Sequence, residues 1–278
     1  MALARGGRVG GRPLKAAPVR LAVAMVRPPQ ALVNRGFTDL HAEPDPGSER
    51  VDQAHYGERF TLLGRDDEWY FAQGPDHYFG WIWQEHVDEV APPERRIVGV
   101  VAADVRSAPT DAAPVIDRLP VASPVAIQER HTDWLRVSSD GWIALRDTVD
   151  VSQLPNRFPH PGDLLRTAEC FLGVPYLWGG TTVDGLDCSG FSQLVYRLNG
   201  VSLDRDADQQ AMEGRPVGTS PRPGDLLFFG DERVTHVAIA TGEREFLHAP
   251  MSGGVVERQT LGPDRTIRAM RRYLGDDG

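Results

Sequence analysis

Asp187-Cys188-Ser189-Gly190-Phe191-Ser192-Gln193-Leu194-Val195-Tyr196-Arg197 is the stretch on which the fold turns. Phe191, Leu194 and Val195 recur at helical spacing, so a helix begins at or just before Cys188 with Asp187 as its cap. A glycine-bearing loop, Tyr176-Leu177-Trp178-Gly179-Gly180-Thr181-Thr182, leads into it. A thiol at a helix start faces unpaired backbone N–H groups and the positive end of the dipole, which favour the thiolate and predict a reduced pKa. Only one other cysteine exists, Cys170, in the run Leu164–Leu172. That run reads as an amphipathic helix with Cys170 toward the core, a structural thiol and not a disulfide partner.

A nucleophile needs a base, and the base needs a group to orient it. Thr235-His236-Val237-Ala238-Ile239-Ala240 reads as a buried strand, and Phe246-Leu247-His248-Ala249 as the next, with a turn around Thr241-Gly242-Glu243. Adjacent antiparallel strands place His248 beside His236 on one sheet face. His236 then takes the Cys188 proton and His248 holds the imidazole tautomer, a position more often filled by a carboxylate or amide. Taken singly, Cys188 reads equally as a buried thiol and each histidine as a satisfied core or surface residue. Their order and contexts together point to a thiol hydrolase.

Six landmarks in order carry a resemblance: Gly173-Val174-Pro175-Tyr176-Leu177-Trp178-Gly179-Gly180, Asp187–Phe191, Arg205-Asp206-Ala207-Asp208-Gln209-Gln210, Pro223–Phe229, His236–Ile239 and Phe246–Ala249. Residues 160–274 resemble the NlpC-type bacterial cell-wall cysteine peptidases, whose fold is papain-like. The resemblance implies an α+β catalytic domain, a Cys188-His236-His248 triad, and Tyr176 near the oxyanion site. It implies hydrolysis of the γ-D-glutamyl bond to a diamino acid in peptidoglycan stem peptides, with peptidoglycan-derived peptides as partners. No cofactor is implied.

The 278 residues leave room for further domains, and 29 glycines and 22 prolines predict many turns and short strands. A net charge of −9 argues against nucleic acid as a partner. Residues 1–20 are basic and glycine-rich and read as a disordered tail. Leu21–Val26 is too short an apolar run for a signal peptide and lacks a small-residue cleavage pattern, and no stretch approaches the roughly 20 apolar residues of a membrane span. Cytoplasmic residence is the expectation, with export by a route not visible in the sequence as the alternative. Eight scattered histidines show no zinc-ligand spacing.

The N-terminal half repeats itself. Asp39–Pro44 answers Asp104–Pro109, Gly57–Leu63 answers Ala122–Ile127, Glu68-Trp69-Tyr70-Phe71 answers Asp133–Val137, and Gly80–Trp83 answers Gly141–Ala144. Each copy is rich in short β runs without a helical period, which predicts two small barrels of about 60 residues, at 21–91 and 95–152. They resemble bacterial SH3-like domains. In the branch of the family with two such barrels, the first walls off the cleft and the enzyme accepts only peptides with a free N-terminal L-alanine. That implies Asp206 as the amine acceptor, although Ala207 replaces the serine of the branch's Arg-Asp-Ser run, and Glu58 and Tyr78 as cleft-lining residues. Trp178 walls the pocket or packs in the core, while Asp187 and Ser189 cap the helix or contact the substrate backbone. Asp225 reads as a turn residue. An amidase or acyltransferase on the same scaffold, and an inert wall-binding module, stay open as other classes.

Overall fold

A computed structural model describes residues 28–88, 95–137, 141–150, 159–251, 253–262 and 265–275. The expected basic tail at 1–20 and the connections at 91–94 and 151–158 lie outside the described residues.

Alternation of buried and exposed residues in Phe37–His41 and Phe79–Trp83 sets Leu40 and Ile82 inward with Val33, Ala54, Phe60, Leu62 and Ala72. Seven strands between Gln30 and Asp88 close round that core as one antiparallel sheet. The second copy spans Arg95–Asp150 as a five-stranded and a three-stranded sheet over Val98, Val105, Leu119, Val125, Leu135 and Ile143. The repeat extends to the backbone. Gly57 (φ 73°) and Ala122 (φ 64°) take the left-handed conformation at matching turns, and so do Asp67 (φ 49°) and Thr132 (φ 51°), each two residues before the matching tryptophan. The two barrels touch, with the Tyr56 hydroxyl donating to the Val137 carbonyl at 2.8 Å.

The C-terminal part places helices against a sheet. Helix α1 (Pro161–Glu169) starts on Pro161, and its cap His160 accepts from the Gly162 N–H. Helix α2 (Cys188–Leu198) is buried almost throughout, and the short α3 (Ala207–Gln210) follows Asp206. Six antiparallel strands run in the order Arg215–Pro216, Ile267–Arg272, Leu226–Phe229, His236–Ala240, Glu245–His248, Glu257–Thr260. Phe191, Leu194 and Val195 of α2 pack with Val237, Ile239 and Leu247, so the strands carrying the histidines lie against the helix carrying the thiol. This is the α+β arrangement expected.

One expectation fails here. Cys170 is exposed at the C-terminal cap of α1, its thiol donating to the Arg166 carbonyl at 3.3 Å. The helix stops at Glu169, so Leu164, Ala168 and Phe171 take the core side and Cys170 points outward. Asp225 closes a turn as expected, its N–H donating to the Arg222 carbonyl at 3.0 Å, and its buried carboxylate also accepts from both Nε and one terminal nitrogen of Arg272 at 2.7 Å. No described helix is long and apolar enough to cross a membrane.

Candidate active site

The helix start forms as its sequence dictates. Asp187 Oδ1 accepts from the Gly190 N–H at 2.6 Å, pinning the first turn with Cys188 at its head. Gly190 is required there, because a Cβ would lie 2.3 Å from the Gly180 carbonyl of the preceding loop. Asp187 Oδ2 accepts from the Gly179 N–H at 2.9 Å, so one carboxylate joins the loop to the helix.

The histidines meet diagonally. Ile239 pairs with Leu247 and Ala240 with Phe246; continuing that register sets His248 opposite Ala238, two residues from His236 on the same face. His236 Nε2 lies 2.8 Å from His248 Nδ1. Both rings are buried, and His236 Nδ1 has no hydrogen-bond partner among the described residues. The Cys188 sulfur sits by the Val237 N–H, immediately after His236 in the chain. Thiol, imidazole and second imidazole therefore succeed one another, and two buried ring nitrogens, His236 Nδ1 and His248 Nε2, are left without a hydrogen-bond partner among the described residues.

Protonation differs from the expectation. Burial, and then the Asp187 charge, push the Cys188 thiol up to about 12. Burial, and then the positive charge of Arg265, push His236 down to about 4; burial and His236 take His248 down to about 3. Desolvation outweighs the helix dipole here, and the resting pair is a neutral thiol beside a neutral imidazole. Tyr176 is half-buried and pushed up to about 12 by burial and then by the neighbouring Cys188, so its hydroxyl remains a proton donor.

A residue the sequence reading passed over organises the other side. Arg205 is 1% exposed. Its guanidinium donates to Asp187 at 2.7 and 3.1 Å, to Ser189 Oγ at 3.0 Å, and to Asp52 of the first barrel at 2.5 Å. Asp187 and Ser189 are thus committed to the helix cap and Arg205; they are not presented to a substrate. One guanidinium shared by two carboxylates leaves an excess negative charge, and burial raises Asp52 to about 7 despite Arg205 beside it.

The first barrel docks through further polar contacts. Tyr78 donates to Asp206 at 3.0 Å, Gln193 to Asp76 at 3.0 Å, Trp178 Nε1 to Glu49 at 2.8 Å, and the Thr181 N–H to Gln53 at 3.0 Å. Tyr78 and Asp206 are therefore brought together, and Asp206 is half-buried with its carboxyl pushed up, chiefly by burial. Trp178 is 59% exposed and bonded to Glu49, so it does not pack in the core. Glu58 departs from its expected place. It pairs with Arg197 at 2.5 Å and accepts from the His55 N–H at 2.9 Å. Arg197 belongs to the last turn of α2, about 13 Å along the axis from Cys188. Among the described residues no cluster of His, Cys, Asp and Glu has a metal-binding arrangement.

Comparison with known proteins agrees with this architecture. Residues 173–271 match the NlpC/P60 family, residues 40–87 the bacterial dipeptidyl-peptidase SH3 domain, and residues 99–148 the bacterial SH3 domain. The chain is 29% identical over 243 residues to a gamma-D-glutamyl-L-lysine dipeptidyl-peptidase of Bacillus subtilis, covering 81% of each. It is 28% identical over 257 residues to dipeptidyl-peptidase 6 of Lysinibacillus sphaericus, covering 83% of this chain and 91% of that one. A crystal structure of an NlpC/P60 family protein from Bacillus cereus superposes with a TM-score of 0.76 at 22% identity, over 88% of this chain and all of that one, which shows the shared fold.

Proposed function

From the premise that the chain belongs to the NlpC/P60 family of cysteine peptidases, with two bacterial SH3 domains ahead of the catalytic domain, we propose that it hydrolyses the γ-D-glutamyl–diamino acid bond of stem peptides bearing a free N-terminal L-alanine. The coarser statement, a peptidase acting on peptidoglycan, rests on its relatives. The finer one is carried by the contact between Tyr78 of the first barrel and Asp206 of the catalytic domain. Asp206 directly follows Arg205, which bonds the cap of the nucleophile helix. A half-buried carboxylate held by a barrel hydroxyl beside the nucleophile helix suits an ammonium and disfavours a chain continuing past it.

In this mechanism His236 Nδ1, which has no hydrogen-bond partner among the described residues, removes the Cys188 proton as the sulfur attacks the γ-carbonyl of D-glutamate. Because thiol and imidazole are neutral at rest, transfer accompanies attack and no ion pair precedes it. The Cys188 N–H and the Tyr176 hydroxyl receive the oxyanion. His236 then protonates the leaving amine, and His248 holds its ring through the 2.8 Å contact. Water activated by the same imidazole opens the thioester and frees L-Ala-γ-D-Glu. Such an enzyme trims muropeptide fragments in recycling.

The test compares L-Ala-γ-D-Glu-diaminopimelate with its N-acetyl form. Acetylation removes a charge-assisted contact and should lower kcat/KM by roughly 10- to 100-fold in wild type and far less in Asp206→Asn. Equal cleavage of both by wild type removes the amine gate and leaves a general wall peptidase. No cleavage, or cleavage surviving Cys188→Ala, removes the peptidase assignment itself.

A further inference from the structure

A recess borders the histidine pair, and neither Asp206 nor any other residue of the Arg205–Gln210 segment lines it. It is a pocket of about 310 Å3 lined by Phe229, Gly230, His236, His248, Pro250, Met251, Arg265 and Thr266. Arg265 is the one arginine or lysine among these. It is half-buried, with its guanidinium 5.5 Å from the ring centre of Phe229 and 5.4 Å from that of Phe246, and it donates to Gln259 at 2.6 Å. A planar guanidinium offers five N–H donors. Among the described residues no carboxylate forms an ion pair with it. Glu257 lies 3.7 Å from His248 Nε2 and does not line the pocket.

We propose that this pocket receives the leaving residue and that Arg265 binds a carboxylate carried by it. The inference rests on the peptidase reading above. The group that protonates the leaving amine must lie within hydrogen-bond reach of it, so the leaving residue emerges at His236, whose ring forms one wall of the pocket. The two ends of the site carry opposite charge. Asp52, Asp187 and Asp206 with one Arg205 make the acyl end negative, and Arg265 makes the leaving end positive. That polarity fits a short peptide entering with an ammonium at one end and a carboxylate at the other. Its positive charge also reaches both imidazoles, as their lowered basicity reflects. Two carboxylates are available on such a residue: the main-chain one of a tripeptide, and the side-chain one that diaminopimelate has and lysine lacks.

Four substrates separate them: L-Ala-γ-D-Glu followed by lysine or diaminopimelate, each with its main-chain carboxyl free or amidated. The readout is the ratio of kcat/KM within each protein, which needs no variant to be as active as wild type. Removing the recognised carboxylate should cost wild type roughly 10- to 100-fold. Loss on amidation identifies the main-chain group, and loss on exchanging diaminopimelate for lysine identifies the side-chain group. In Arg265→Gln the ratio should collapse toward one, and Arg265→Lys should keep part of it. A wild type indifferent to both carboxylates, or an Arg265→Gln protein that keeps the wild-type ratio, overturns the assignment while leaving the peptidase intact. Failure of wild type to cut any of the four overturns the peptidase reading and the subsite with it.

Discussion

Arg205→Met removes the one cation between two buried carboxylates. Asp187 would keep two backbone donors, Gly190 at 2.6 Å and Gly179 at 2.9 Å, so its loss is partial. Asp52 would lose its guanidinium partner at 2.5 Å while remaining buried. Breaking a buried pair from one side costs about 3–5 kcal/mol, because the remaining charge is uncompensated. Asp52 already titrates at about 7 beside Arg205, so below neutrality it escapes by taking a proton. The expected cost is therefore near the bottom of that range at pH 6 and larger at pH 8, against a total stability on the order of 5–15 kcal/mol. Urea unfolding followed by tryptophan fluorescence measures it at both pH values. The first barrel holds Trp69, Trp81 and Trp83, so its release from the catalytic domain should appear as a separate early transition. Adding Asp52→Asn to Arg205→Met should recover part of the loss, since the stranded group is then neutral. A cost under about 1 kcal/mol at both pH values, or a double variant weaker than Arg205→Met alone, refutes the view that this guanidinium holds the barrel to the nucleophile helix.

Other outcomes follow from the same charges. With His236 pushed down to about 4, kcat/KM should hold from neutrality until the pH falls through about 4, and should fall on the alkaline side near pH 8 as the substrate ammonium deprotonates. An acid limb near 6.5 would mean a solvated imidazole. Alkylation by iodoacetamide should mark exposed Cys170 before Cys188, whose thiolate is scarce, whereas an electrophile built on L-Ala-γ-D-Glu should mark Cys188; peptide mapping reads both. Asp52 has a folded-state pKa raised from 3.8 to about 7, so its stabilising contribution is full below about pH 4 and is lost as pH rises through about 7. Asp52→Asn should flatten that part of the Tm-against-pH curve, and an unchanged slope between pH 5 and 8 contradicts it.

What was legible in the sequence was local. The helix period after Cys188 and the two apolar runs around His236 and His248 fix elements by spacing alone, and antiparallel neighbours then bring the histidines together. The barrel repeat was readable for the same reason, down to matching turn residues. Phase and solvation were not readable. Cys170 lies on an amphipathic run, and only the point where α1 stops decides which way it faces. The argument for an acidic thiol counted the dipole of α2 but not the burial of Cys188 or the charge of its own cap. Glu58 was expected to line the cleft, and the Arg197 partner that holds it elsewhere stands 139 residues away.

Arg205 was beyond reach for a further reason, since its partners Asp52 and Asp187 are separated from it by 153 and 18 residues, and neither spacing is a motif. Yet it explains how the first barrel acts on the site without supplying a reacting group. One guanidinium both compensates the cap carboxylate at the nucleophile and seats the barrel, and the next residue, Asp206, takes the barrel's Tyr78. Under the proposed function, docking and substrate recognition share one turn of chain. A barrel whose Asp52 is displaced from Arg205 would remove the Tyr78 hydroxyl from Asp206 and open the cleft end at the same time. Selectivity for the free amine should accordingly fall together with barrel docking in every variant that weakens the Arg205 cluster, even where Cys188, His236 and His248 are intact.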